Sequence, residues 1–223
     1  GGTLKLGGTP TSLGTFTKGT STIEYDGGNQ NVITEGYHNL EIDAVGTKTA
    51  QGNNTVAGTM TVQPGSTYAV AATSTTVTGS SDINGTLTIS SGGTYDANAA
   101  YDADGGIVTI ASGGKLYLGS TITAFGTFDN QGTLYLDGSS AQSIPGSGSK
   151  THTPLVLCNK AEGGDPAGTL DLSGADKTYS ASHIDYQIKG NLTFNGTTDF
   201  VIDGSNDAVV TIYAETVISN ADD

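Results

Sequence analysis

The densest set of oxygen ligands in this chain of 223 residues is Asp96, Asn98, Asp102 and Asp104, gathered within a single short stretch. Hard cations such as calcium take about six to eight oxygens from loops of this composition. These four residues are therefore the metal candidates, and calcium is the one cofactor candidate. The stretch lacks the terminal bidentate glutamate of a helix-loop-helix calcium site, and no Gly-Gly-x-Gly-x-Asp repeat occurs. A solvated acidic loop is the competing reading. Two further carboxylate groups, Asp171 with Asp176 and Asp185, and Asp199 with Asp203 and Asp207, could converge on one face. Polysaccharide-cleaving sites set such acids beside a basic clamp or base. This chain contains eight lysines and no arginine, and its acids are scattered among turns. The three histidines, His38, His152 and His183, lack metal-ligand spacing, and no serine or cysteine sits in a nucleophile elbow. No catalytic residue is assigned, and an enzyme is not expected. Cys158 is alone, which excludes a disulfide framework within the chain and a cysteine-cluster metal site.

Charge narrows the partners. A formal net charge of -14 and a pI near 4.2 argue against nucleic acid, whose phosphates need a positive patch. They argue equally against an anionic membrane surface. No apolar run approaches the roughly 18 residues of a membrane span, and no signal peptide is visible at Gly1-Gly2-Thr3. Acidic, Thr/Ser/Gly-rich chains of this kind are expected outside the cell.

The elements that carry these residues are announced by repetition. Gly58-Thr-Met-Thr-Val62, Gly85-Thr-Leu-Thr-Ile89 and Gly106-Ile-Val-Thr-Ile110 are variants of one phrase, set 27 and then 21 residues apart. Each is followed by a second phrase opened by glycine: Gly65-Ser-Thr-Tyr68, Gly92-Gly-Thr-Tyr95 and Gly113-Gly-Lys-Leu-Tyr117. A short unit repeating at such a period is the mark of a solenoid, whose coils cannot bury their apolar faces alone. The expectation is an all-β, single-domain parallel β-solenoid over residues 1–223, with little or no helix and about ten coils, given about 22 residues per coil and a 4.8 Å spacing. An antiparallel sandwich is the runner-up. Val56, Met60, Val62, Ile83, Leu87, Ile89, Ile107, Ile110, Leu116, Leu134 and Leu136 are expected to point inward, with the intervening threonines facing solvent. The recurring glycines are expected at corners with unusual backbone angles. Tyr68, Tyr95 and Tyr117, equivalent by phrase, are expected to stack in a ladder that packs or grips a glycan.

Residues 19–62 carry a resemblance. Gly19-Thr-Ser-Thr-Ile-Glu-Tyr25, Tyr37-His-Asn-Leu-Glu-Ile42, Gly46-Thr-Lys-Thr49 and Gly58-Thr-Met-Thr-Val62 resemble the repeats of bacterial extracellular adhesin-like β-helix proteins. The resemblance fades to single phrases through residue 194. It implies a right-handed parallel β-helix, a cell-surface location and a structural or adhesive role, with no catalytic residues to carry over.

A solenoid has two open ends, whose strand edges invite pairing unless they are capped. Both termini read as strand: Thr3, Leu4 and Leu6 at one end, and Val209, Val210, Ile212 and Tyr213 at the other. The expected function is a secreted structural protein that polymerises with its own copies through these residues. The alternatives are a glycan- or protein-binding module of a longer surface adhesin and, more weakly, a polysaccharide-degrading enzyme.

Overall fold

Thr, Val, Ile, Leu and Tyr alternate in runs of three to five residues, and such runs need hydrogen-bonded neighbours on both sides to persist. The computed structural model supplies them by coiling. It describes residues 1–136 apart from Phe16, and beyond them the backbone of ten short strands between Gln142 and Asn220. Side chains are described through Tyr135, Phe16 and Thr133 excepted. Every strand pair is parallel, and strands pair with the equivalent strand of the neighbouring coil. Three sheets result. The first face runs from Thr3–Leu6 through Thr22–Tyr25, Asn39–Ile42, Met60–Val62, Ser81–Ile83 and Tyr101–Asp102 to Ile122–Ala124. The second face begins at Gln30–Val32, continues through Gly46–Ala50, Ser66–Val70, Thr86–Ile89, Ile107–Ile110 and Thr127–Asn130, and ends at Thr151–His152. The third holds nine strands, from Gly36–Tyr37 to Val209–Ile212, with Asn54–Val56, Ser74–Val77, Thr94–Ala97, Lys115–Leu118 and Thr133–Leu136 in its first half. Two smaller parallel sheets lie among the strands after residue 136. The described residues contain no helix.

This is the parallel β-solenoid expected from the repeats, with about seven turns in the closely described part. One coil is nearer 20 residues than 22: Leu40 pairs with Met60, and Ser81 with Tyr101. The 27-residue spacing joined different faces. Gly58-Thr-Met-Thr-Val62 lies on the first face, whereas the phrases beginning at Gly85 and Gly106 lie on the second. The partner of Leu87 is Tyr68.

Alternation decides what is inside. Val56, Met60, Val62, Ile83, Leu87, Ile89, Ile110, Leu116 and Leu134 are fully buried, as their phase requires. Burying such a side chain contributes about 1.5–3 kcal/mol. Ile107 corrects the expected list: it is 46% exposed, and Val108 takes the inward place in register with Leu87. The phrase Gly-Ile-Val-Thr-Ile offers two apolar phases, and pairing with Leu87 selects the one containing Val108 and Ile110. The side chain of Leu136 lies outside the described set. Tyrosines fill much of the remaining interior, with Tyr25, Tyr37, Tyr68, Tyr95 and Tyr101 fully buried.

Glycines serve the corners in two ways. Gly65, Gly92 and Gly113 have φ near +80°, a region that penalises side chains. Gly85 and Gly106 do not; there a Cβ would collide with the carbonyl oxygen of Gln63 and Ile83 respectively, one coil below.

Candidate functional site

Among the described residues the interior is filled by side chains, which leaves the outward columns and the corners to present polar groups. On the first face the outward residues align as Lys5, Glu24, Glu41, Thr61, Asp82 and Asp102, in register from coil to coil. Carboxylates stacked about 4.8 Å apart repel unless each has a donor. Each one here does. Lys5 Nζ donates to Glu24 Oε1 at 2.5 Å, Gln63 Nε2 to Glu41 at 2.6 Å, Asn84 Nδ2 to Asp82 at 2.7 Å, and the Asp104 N–H to Asp102 Oδ1 at 3.0 Å. Sequence reasoning missed this column, because its members are separated by whole coils; comparing positions 20 residues apart would have found it.

The four metal candidates divide into two pairs. Asp96 projects from the third face and accepts a hydrogen bond from Asn98 Nδ2 at 3.0 Å, and burial pushes its carboxyl above the usual range. Asp102 and Asp104 lie beyond the next corner, on and just after the first-face strand Tyr101–Asp102. Among the described residues, no group of three or more His, Cys, Asp or Glu side chains is arranged to hold a metal ion. Of the carboxylates considered for glycan cleavage, Asp171, Asp185 and Asp203 fall on strands described by backbone alone, while Asp176, Asp199 and Asp207 lie outside the described residues, as do Cys158 and His183.

The expected tyrosine ladder is replaced by a different one. Tyr68 belongs to the second face, Tyr95 to the third, and both point inward. Tyr117 points outward and stacks on Tyr135 of the next coil, with ring centroids 4.2 Å apart and planes within 4°. The rings cover each other's faces, so the pair is a packing element. The inward tyrosines hydrogen-bond across the core. Tyr25 and Tyr37 share a 3.1 Å bond, Tyr68 meets Thr75 at 2.8 Å, and Tyr95 meets Ser81 at 2.9 Å. Tyr101 has a buried hydroxyl without a partner.

A charged side chain also points into the interior. Lys48 occupies an inward position between Gln30 and Tyr68 and is fully buried. Its Nζ donates to the Ala44 carbonyl oxygen at 2.6 Å, and desolvation draws its pKa below the ordinary lysine value despite Asp43 and Asp26 nearby.

The assembly candidates stand at sheet ends. Thr3, Leu4 and Leu6 lie on the terminal strand of the first face, and Val209, Val210 and Ile212 on the terminal strand of the third. Tyr213 lies outside the described residues. Beside the N-terminal end, Thr9, Thr11, Asn31, Ile33, Glu35 and Gln51 help line an open cleft of about 450 Å³.

Against known proteins, no curated protein and no solved structure matches the chain. The family model described as the haemagglutinin repeat does match, over residues 44–120 and again over 118–143. The described residues of that stretch, up to Leu136, form parallel coils that continue those before residue 44. The match covers less than half of the chain, and together with the parallel solenoid it fits the adhesin-like β-helix repeats that the sequence resembles.

Proposed function

We propose that this chain is a structural rod of a cell-surface adhesin, exported from the cell, that assembles with its own copies through its terminal strands. The observation that carries the reading is Leu4. It lies in an inward column, in register with Ile23, yet it is 43% exposed whereas Ile23 is 1% exposed. Among the described residues the Thr3–Leu6 strand is paired on one side only, so its other edge presents backbone groups beside an apolar side chain. A parallel strand from a second copy would satisfy both, in the manner of strand addition. The Val209–Ile212 strand, at the far end of the third-face sheet, offers the complementary edge. Negative-stain electron microscopy of the untagged protein tests this, run beside a variant lacking residues 1–6. Filaments of uniform width that disappear in the variant are expected. Filaments unchanged by the deletion would rule out the N-terminal strand, and isolated short rods from the intact protein would rule out assembly.

The cleft beside Thr9 favours a second reading, a ligand-binding adhesin module. Hydroxyls, amides and the Glu35 carboxylate beside Ile33 suit an uncharged saccharide, which asks for many hydrogen bonds and one apolar contact. A glycan array with the intact protein and with Glu35→Ala separates the two readings: a monomer that binds through Glu35 supports the module, and array silence removes it.

A further inference from the structure

The second face differs from the other two in what it shows to solvent. Its outward residues form two parallel columns. One reads Thr47, Thr67, Thr86, Ile107 and Thr127, and the other Thr49, Ala69, Thr88, Thr109 and Asp129. Seven of these ten positions are threonine, two are small or β-branched apolar residues, and the one charge stands at the far end. Pairing through these five coils is in register without a bulge, whereas the first face slips between Tyr101 and Asp102. The hydroxyls of Thr47, Thr67, Thr86, Thr88 and Thr109 make no hydrogen bond to a protein group among the described residues.

The spacing of this array follows from strand geometry. Coil stacking sets neighbours in a column about 4.8 Å apart, and two residues along a strand set the columns about 6.7 Å apart. Each threonine presents one hydroxyl and one methyl in a χ1 range narrowed by β-branching. A hydroxyl can hold a water molecule at a fixed place, while the methyl, and Ile107 at 46% exposure, leave the water between columns with no competing protein partner. Repeated at those two spacings, such a face would order water in a rectangular net whose cell is close in size to the principal repeats of ordinary ice. Charged groups would spoil the net by holding water in their own geometry. The first face carries Glu24, Glu41, Asp82 and Asp102, and the third carries Asp96, Lys115 and the Tyr117–Tyr135 stack. The second face alone keeps its central positions neutral, in a chain whose formal net charge is -14.

We propose that the threonine array of the second face is an ice-binding surface, its ligand being crystalline water held through the Thr47–Thr127 and Thr49–Thr109 columns. This goes beyond the structural role proposed above and leaves the terminal strands free. A mineral or polyanionic ligand is disfavoured, because the face has neither carboxylate clusters nor cations in its centre.

The test uses the intact chain. Thermal hysteresis is measured in a nanolitre osmometer, and uptake of the fluorescently labelled protein into slowly grown polycrystalline ice is measured in parallel. The wild type should facet ice crystals and enter the ice. Thr88→Tyr, at the centre of the array, should lose both activities, and so should Thr67→Tyr one coil away. Thr76→Tyr on the third face should keep them. Circular dichroism confirms that each variant remains β-structured, and two independent array variants guard against the misfolding of one. Exclusion of the wild type from growing ice overturns the proposal, as does full activity in both array variants. Binding to crystalline cellulose with none to ice overturns it too, and assigns the face to a polysaccharide.

Discussion

A buried hydroxyl is tolerated when it is paired and costly when it is not, and the core tyrosines show both cases. Tyr95 shares a 2.9 Å bond with Ser81, whereas the Tyr101 hydroxyl is buried with no partner. Removing a partnered hydroxyl orphans its mate, while removing an orphan relieves a desolvation cost, each on the order of 1 kcal/mol. Tyr101→Phe is therefore expected to stabilise the solenoid by about 1 kcal/mol, and Tyr95→Phe to destabilise it by about the same amount. Equilibrium urea unfolding of the two variants checks the opposite signs; equal shifts in one direction would contradict the pairing. The tyrosines could be picked out from the sequence by their recurrence, but their partners could not. Ser81 and Thr75 look like any other hydroxyl in a Ser/Thr-rich chain until the coil sets them across from Tyr95 and Tyr68.

At the scale of one strand, phase is the property at stake. In Gly106-Ile-Val-Thr-Ile110 the two candidates for the core are adjacent, and a one-residue slip turns every side chain over. The structure places Val108 inside and Ile107 outside. Ile107→Ala should change stability by no more than about 0.5 kcal/mol, and Val108→Ala should cost about 2 kcal/mol through lost burial and the cavity left behind. Thermal unfolding followed by circular dichroism distinguishes them, and a larger loss at Ile107 would invert the assigned phase. The surrounding coils decided this phase: Val108 is held over Leu87 and under Phe128 by two registers of parallel hydrogen bonds, neither of which is local in sequence.

For the molecule as a whole, the buried phenols set an alkaline limit. Burial raises the pKa of Tyr25, Tyr37, Tyr68, Tyr95 and Tyr101 above the ordinary value of 10.0. Above that pH the unfolded chain releases phenolic protons that the folded chain retains, so folding loses stability as pH rises. Lys48 acts in the opposite sense. Its pKa is lowered on folding, so stability gained through it grows as pH rises towards the unfolded lysine value. One lysine is set against five tyrosines, and the net expectation is a stability that falls steeply above about pH 10. Denaturant midpoints measured from pH 8 to 11 check this; a midpoint that holds or rises through pH 11 would mean that the phenols ionise in place.

The sequence by itself determined that the chain is β, that it repeats, and that its repeats resemble those of surface adhesins. Alternation and glycine punctuation are local, and a solenoid is built from local units stacked on identical neighbours. Most of the expected core, from Val56 to Leu134, was legible for the same reason. Only the tertiary structure decided which phrase lies on which of three faces. A spacing of 27 residues and one of 21 look alike along the chain, but only the second returns to the same face. From that assignment follow the inward turn of Tyr68 and Tyr95, the outward stack of Tyr117 on Tyr135, the separation of Asp96 from Asp102, and the alignment of seven threonines on the second face. Each depends on register between residues about 20 positions apart, fixed by interstrand hydrogen bonds rather than by any neighbour in sequence.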